Sequence, residues 1–168
     1  MVAKGRRFYS ASIGRMSEAR FVRAAKKKGL VVTKSTRKED VSEHVDYWLA
    51  LEVDDRWGVD VKGNNLPEEI WCEFKNVRGE EGWMYGNATI IAFEMPEEGG
   101  FSIVDRKELA AFCEQFCSEE IVKDKKKAYR KRYTRKDRQD QITKLTLVDI
   151  QSLNSYRVWE YDTEYYLE

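Results

Sequence analysis

His44-Val45-Asp46-Tyr47-Trp48-Leu49, Gly58-Val59-Asp60-Val61-Lys62-Gly63 and Trp71-Cys72-Glu73-Phe74-Lys75-Asn76 are three short runs in which an acid stands among β-branched and aromatic neighbours. Turn residues separate them, Asp54-Asp55-Arg56 before the second and Asn64-Asn65-Leu66-Pro67 before the third. They predict consecutive strands, and the short connections predict an antiparallel three-stranded meander carrying Asp46, Asp60 and Glu73. Side chains on a strand repeat every two residues, so Asp60 shares a face with Lys62, and Glu73 with Lys75. Their neighbours Val59, Val61, Cys72 and Phe74 are apolar and assign the opposite face to a core. A single exposed Asp–Lys pair is worth under about 1 kcal/mol and needs no function. Two such pairs with a further acid nearby suggest more: carboxylates that hold a divalent cation against a phosphate, with a lysine beside them.

Around this block, helix and strand patterns alternate. Residues 17–29 predict a helix with Phe21, Val22, Ala24 and Ala25 on its apolar stripe, Ser17 capping its start and Gly29 ending it. Residues 1–16 are basic and rich in small side chains, and predict a flexible arm or an edge strand. Residues 30–35 form a short β-branched strand. Residues 87–95 and 101–104, parted by Gly99-Gly100, predict a hairpin. Residues 105–117 place Leu109, Phe112, Cys113 and Phe116 at helical spacing, and residues 141–150 predict another strand before a final short element. No linker or repeat interrupts the 168 residues, which predict a single domain of α/β class: a central mixed β-sheet flanked by α-helices.

No apolar run approaches the roughly 20 residues of a membrane-spanning helix, and no signal-peptide core follows Met1, so a cytoplasmic protein without a membrane partner is expected. Cys72, Cys113 and Cys117, with His44 the single histidine, fit buried thiols better than a disulfide framework or a zinc site. A net charge of zero conceals segregation. The successive segments 1–38, 39–122, 123–138 and 139–168 carry +11, −15, +8 and −4. Acids between two basic segments suit a metal-dependent enzyme acting on a polyanion, the basic parts holding phosphates. Charged faces that neutralise one another in the fold would give the same tally.

The order of a helix with Glu18, a strand over residues 30–35, Asp46 after a polar link, then Asp60-Val61-Lys62 resembles the PD-(D/E)XK nuclease superfamily. Asn76-Val77-Arg78-Gly79 and Gly82-Trp83-Met84-Tyr85-Gly86 look similar to small nuclease-like proteins of tailed bacteriophages. The likeness spans roughly residues 17–110. It implies a restriction-endonuclease-like core and a Mg²⁺- or Mn²⁺-dependent hydrolase of DNA phosphodiesters, with DNA as partner and a homodimer where both strands are cut. Valines at positions 45 and 59 stand where the family name has proline. Two registers fit. In the first, Asp46 is the isolated aspartate, Asp60-Val61-Lys62 the D-x-K element and Glu18 an accessory carboxylate. In the second, Asp60 is the isolated aspartate and Glu73-Phe74-Lys75 the E-x-K element. Asp46 and Asp60 are implied metal ligands, Glu18 and Glu73 supporting ones, Lys62 the residue that orients water, and Lys75 a phosphate contact.

Further residues bear two interpretations each. His44 shares Asp46's face and either assists at phosphate or is a surface residue. Trp83 and Tyr85 either stack on bases or plug the core edge. The basic run holding Lys126, Lys127, Arg130, Arg132 and Arg135, with Tyr129 and Tyr133 four apart, predicts a DNA-contacting helix or arm, or a solvated face. A nuclease-derived protein that binds nucleic acid or a protein without cutting is the competing functional expectation.

Overall fold

A computed structural model describes residues 3–52 and 55–163, of which 3–11 as backbone alone; Val53 and Asp54, in and beside the expected turn, lie outside the described residues. The chain opens on α1 (Ala3–Lys27). From Ala3 on, the basic N-terminal segment is therefore helix rather than arm or edge strand, and Ser17 is buried in mid-helix instead of capping it. Propagation from a packed turn costs little once a helix is nucleated, and Lys, Arg, Ala and Met favour it. The C-terminus follows expectation. Gly29 adopts φ +80° and donates to the Lys26 carbonyl at 2.9 Å, while Leu30 donates to the Ala25 carbonyl at 3.2 Å.

The remaining main elements are β1 (Val31–Lys34), β2 (Tyr47–Ala50), β3 (Arg56–Lys62), β4 (Ile70–Lys75), β5 (Ile90–Met95), β6 (Gly100–Asp105), α2 (Arg106–Phe116), β7 (Ile121–Val122), β8 (Arg132–Tyr133), β9 (Gln141–Leu145), α3 (Leu147–Gln151) and β10 (Arg157–Glu160). Two sheets result, a six-stranded one in the order β1-β2-β3-β5-β6-β10 and a four-stranded one in the order β4-β9-β8-β7. The first is mixed, because β5 runs parallel to β3 while its other pairings are antiparallel. The α/β class with a mixed sheet and flanking helices is thus as expected.

The meander is not. Its three strands are β1, β2 and β3; β4, which bears Glu73, pairs antiparallel with β9 in the other sheet. The chain leaves β3 at Asn64, which takes φ +57°, and Asn65 locks the exit. The Asn65 side-chain amide donates to the carbonyls of Lys62 (2.7 Å) and Glu94 (3.1 Å). Ile70, Cys72 and Phe74 then alternate inward and join Ile91, Phe93, Met95 and Val104 in one core cluster, with Leu109 and Cys113 of α2. The opposite face of the six-stranded sheet packs on α1, through Phe21, Ala24, Ala25, Leu49, Val59, Ala92 and Phe101. In β3 this division sends Val59 and Val61 toward α1, and Asp60 and Lys62 toward the second sheet.

Two other expectations fail for local reasons. The strand over residues 141–150 stops at Leu145, because Thr146 and Asp149 form a reciprocal capping box that starts α3. The basic run is no helix: Lys125–Lys127 is a single 3₁₀ turn, and positive φ at Arg130 (50°) and Asp137 (58°) prevents continuation. Among the described residues, no helix is long and apolar enough to cross a membrane.

Candidate active site

The β2–β3 pairing unites the first two acids. Tyr47 is paired with Val59, so Asp46, one step before, meets the β3 backbone beside Asp60. Asp46 donates its backbone N–H to the Val59 carbonyl (2.8 Å), and its Oδ2 accepts from the Val61 N–H (2.7 Å). Asp60 is only 4% exposed. Its Oδ1 lies 2.8 Å from the Lys62 ammonium, while its Oδ2 is buried without a hydrogen-bond donor. The Asp46 carboxyl is raised to about 7, first by burial and then by repulsion from Asp60; the Val61 N–H and Lys62 offset part of this. Negative charge therefore exceeds what the one ammonium satisfies.

Glu73 approaches from the second sheet. Its carboxyl is raised by burial, against the opposing pull of Lys62, the Trp83 N–H and His44. Trp83 donates to Glu73 Oε1 at 3.4 Å, and the Lys62 ammonium lies 4.7 Å above the Trp83 ring centre. Lys62 is thus the hub between Asp60, Glu73 and an aromatic face. Glu18 reaches the same region from α1, where its Oε2 accepts from Lys34 (2.8 Å) and Tyr47 (3.1 Å); its charge adds to the upward pressure on Asp46.

Lys75 does not join them. The β4–β9 register shifts between Glu73 and Lys75, and Lys75 stands exposed beside Gln141 and Glu81. The groups acting most strongly on Glu73 are Lys62, Trp83, His44 and Arg135. The structure thus groups the residues of the first register. Neither His44 nor Asp46 is in a strand, and His44 adopts φ +54° at the end of a π-turn over Glu39–Glu43. Trp83 serves the core, 7% exposed and edge-on to Phe93 at 6.1 Å, as well as the site. Tyr85 donates to Glu114 at 2.8 Å.

The basic residues divide. Lys126 and Lys127 are exposed. Arg130 pairs with Asp149 and Arg135 with Asp140, while Arg132 lies 4.3 Å over the Phe74 ring and donates to Gln141. All three arginines have intramolecular partners. The cysteines are buried thiols, as expected.

Gly82 sets the height of the Trp83 loop. A Cβ there would lie 2.3 Å from the Glu73 backbone oxygen, and the Gly82 N–H donates to the Phe74 carbonyl at 2.8 Å. Gly82→Ala should therefore push Trp83 off Lys62 and cost about 1–3 kcal/mol, measured by urea unfolding. Unchanged stability with unchanged tryptophan emission would show that the loop gives way freely.

The donor set suits a hard divalent cation. Asp46 and Asp60 offer carboxylate oxygens, one of them buried without a donor, and such ions are held by one or two carboxylates with water and phosphate. Among the described residues, no three His, Cys, Asp or Glu side chains are grouped to enclose a metal by themselves. No protein-family model, curated protein or solved structure matches the chain.

Sequence reasoning missed two features. Glu94 is fully buried and accepts from Arg20 (2.6 Å) and Tyr161 (2.7 Å), tying α1 to β5. Its signal was a lone acid in Ile90-Ile91-Ala92-Phe93-Glu94-Met95. The second is an aromatic cleft on the four-stranded sheet, whose residues lie too far apart in sequence to leave a local pattern.

Proposed function

We propose that the chain is a metal-dependent phosphodiester hydrolase of DNA with a restriction-endonuclease-like core. The observation that carries this reading is the convergence of Asp46, just before β2, with Asp60 and Lys62 on the neighbouring β3, with an Asp60 oxygen buried and donorless. The chain order of Glu18 on a helix, an edge strand, Asp46 and then Asp60-Val61-Lys62 supports the same family resemblance. Asp46 and Asp60 would hold Mg²⁺ or Mn²⁺. Such an ion supplies a bound water of lowered pKa and offsets charge on the attacked phosphate. Lys62, held by Asp60 and the Trp83 face, orients the attacking water and neutralises a phosphate oxygen. Glu73, its carboxyl pKa raised by burial against the pull of Lys62, accepts a proton on the side facing the second sheet. Glu18 with Lys34 and Tyr47 fixes the α1 side of Asp46. Lys126 and Lys127 remain as exposed contacts for the backbone of a polyanion.

The test is nicking and linearisation of plasmid and branched DNA with Mg²⁺ or Mn²⁺. Lys62→Ala should lower the rate at least about 100-fold, and Lys75→Ala less than about threefold. An inert wild type on every substrate with either metal would leave the non-cutting nucleic-acid-binding protein as the reading. Loss on Lys75→Ala with Lys62→Ala active would transfer the chemistry to the second register.

A further inference from the structure

The four-stranded sheet carries a cleft of about 420 Å³, within the range of small-ligand sites. Its walls are aromatic: Trp71 from β4, Tyr133 from β8, and Trp83 from the loop after β4. Trp71 and Tyr133 have ring centres 5.9 Å apart and planes tilted by 43°, so they do not lie flat on one another. Lys125 and Arg135 also line it, and Glu73 contributes a carboxylate. Both cations are held in place. Lys125 pairs with Glu69 and lies 5.6 Å from the Trp71 ring centre, and the Arg135 Nε donates to Asp140.

This cleft and the carboxylate–lysine cluster share two residues. Glu73 lines one and faces the other, and Trp83 forms a cleft wall while carrying Lys62 above its ring. A ligand in the cleft is thus one side chain away from Lys62, which touches Asp60 at 2.8 Å. Trp71 and Tyr133, both half-buried, give a flat ring aromatic surface to pack on, and the largely buried Trp83 completes that wall. Lys125 and Arg135, each already paired with a carboxylate, add ammonium and guanidinium N–H donors to the lining for a phosphate beside the ring. The carboxylate repels a phosphate from the interior but accepts hydrogen bonds from an exocyclic amino group, which adenine, cytosine and guanine all carry. A phosphate alone, or an aliphatic chain, would use only one of these three features.

We propose that this cleft is a nucleobase subsite that takes one unpaired base of a nucleic-acid strand whose neighbouring phosphate lies at Asp46, Asp60 and Lys62. The inference rests on the proposed hydrolase for the course of the strand, and it narrows the substrate: a base stacked and paired in a duplex cannot enter. Single strands, flaps, branch points and bases swung out of a helix can.

The experiment measures binding apart from cleavage. Fluorescein-labelled single-stranded DNA, RNA of the same sequence, and the fully paired DNA duplex are titrated by anisotropy in EDTA, with Asp60→Asn as the parent protein. The parent should bind the DNA single strand at least fivefold more tightly than the duplex. Trp71→Ala and Tyr133→Ala should each weaken single-strand binding about 5- to 100-fold and leave duplex binding within twofold. Trp71→Phe, which keeps a ring, should retain most of the affinity and guards against a folding defect in the alanine variant. If the alanine variants are folded and bind the single strand within twofold of the parent, or the parent prefers duplex, the subsite is wrong. Tighter binding of RNA with the same losses supports the subsite and moves the substrate to RNA. If the variants lose binding while the wild type cuts nothing, the subsite survives and the hydrolase falls. If the wild type cuts and the variants bind normally, only the subsite falls.

Discussion

Asp60→Asn is expected to lower the rate of metal-dependent DNA cleavage by about 10³- to 10⁴-fold, a loss of about 4–5.5 kcal/mol of transition-state stabilisation. Asp60 is the residue on which both registers agree and the one the fold has placed most deliberately. Its side chain is buried, its Oδ1 is tied to Lys62, and its Oδ2 faces no donor. Asparagine keeps the shape and can still accept from Lys62, but it withdraws the anionic charge and replaces one oxygen with a donor. Two effects on folding oppose each other. The Lys62 ammonium loses its ionised partner, while Asp46 is freed from a repulsion that ranks second among the causes of its raised pKa. The thermal midpoint should therefore move by only a few degrees, separating a chemical defect from an unfolded protein. Cleavage within tenfold of the wild type, with a normal melt, would exclude Asp60 as a ligand and with it the proposed chemistry.

The sequence made the parts of this site legible, but not their arrangement. Alternation about Asp60 placed it with Lys62 on one face, because the apolar valines on either side had a single place to go. The same argument placed Glu73 and Lys75 together on the face away from Ile70, Cys72 and Phe74, where both stand, but only Glu73 reaches Lys62. A bulge between them leaves Glu73 beside Lys62 and Lys75 in solvent. A bulge is set by how two strands pair, here β4 with β9, and no local pattern in this stretch announces it. Glu73 reaches the site from a second sheet rather than the neighbouring strand, since Asn65 fastens the chain to Lys62 and Glu94 and turns it away. Nor did the basic run behave as its spacing suggested. Tyr129 and Tyr133 are four apart in a stretch that Arg130 and Asp137 break at positive φ. Its arginines were drawn to Asp149, Asp140 and the Phe74 ring, so much of the segregated charge neutralises within the fold.

Asp46→Asn is expected to stabilise the protein in alkaline solution while abolishing cleavage. With its pKa raised to about 7 from the ordinary 3.8, the folded carboxyl keeps its proton where the unfolded chain has released it. The sign follows from linkage. Below about pH 4 both states are protonated and the group favours neither; from there to about pH 7 each rise in pH favours the unfolded chain, and above it the whole penalty applies. A shift of this size corresponds at most to about 4 kcal/mol, and since Asp46 is only partly buried, about 2 kcal/mol is the expected gain for asparagine at pH 8. Asparagine can still accept from the Val61 N–H, so the β2–β3 junction holds. In EDTA, urea unfolding of the wild type should weaken between pH 4.5 and 7.5 more steeply than that of the variant. Millimolar Mg²⁺ should then raise the wild-type midpoint at pH 8 and leave the variant's nearly unmoved, because a cation relieves a repulsion the variant no longer has. Equal slopes for the two proteins would mean that Asp46 is solvated like any surface acid, and that the negative charge gathered beside Asp60 is not a strained site awaiting a cation.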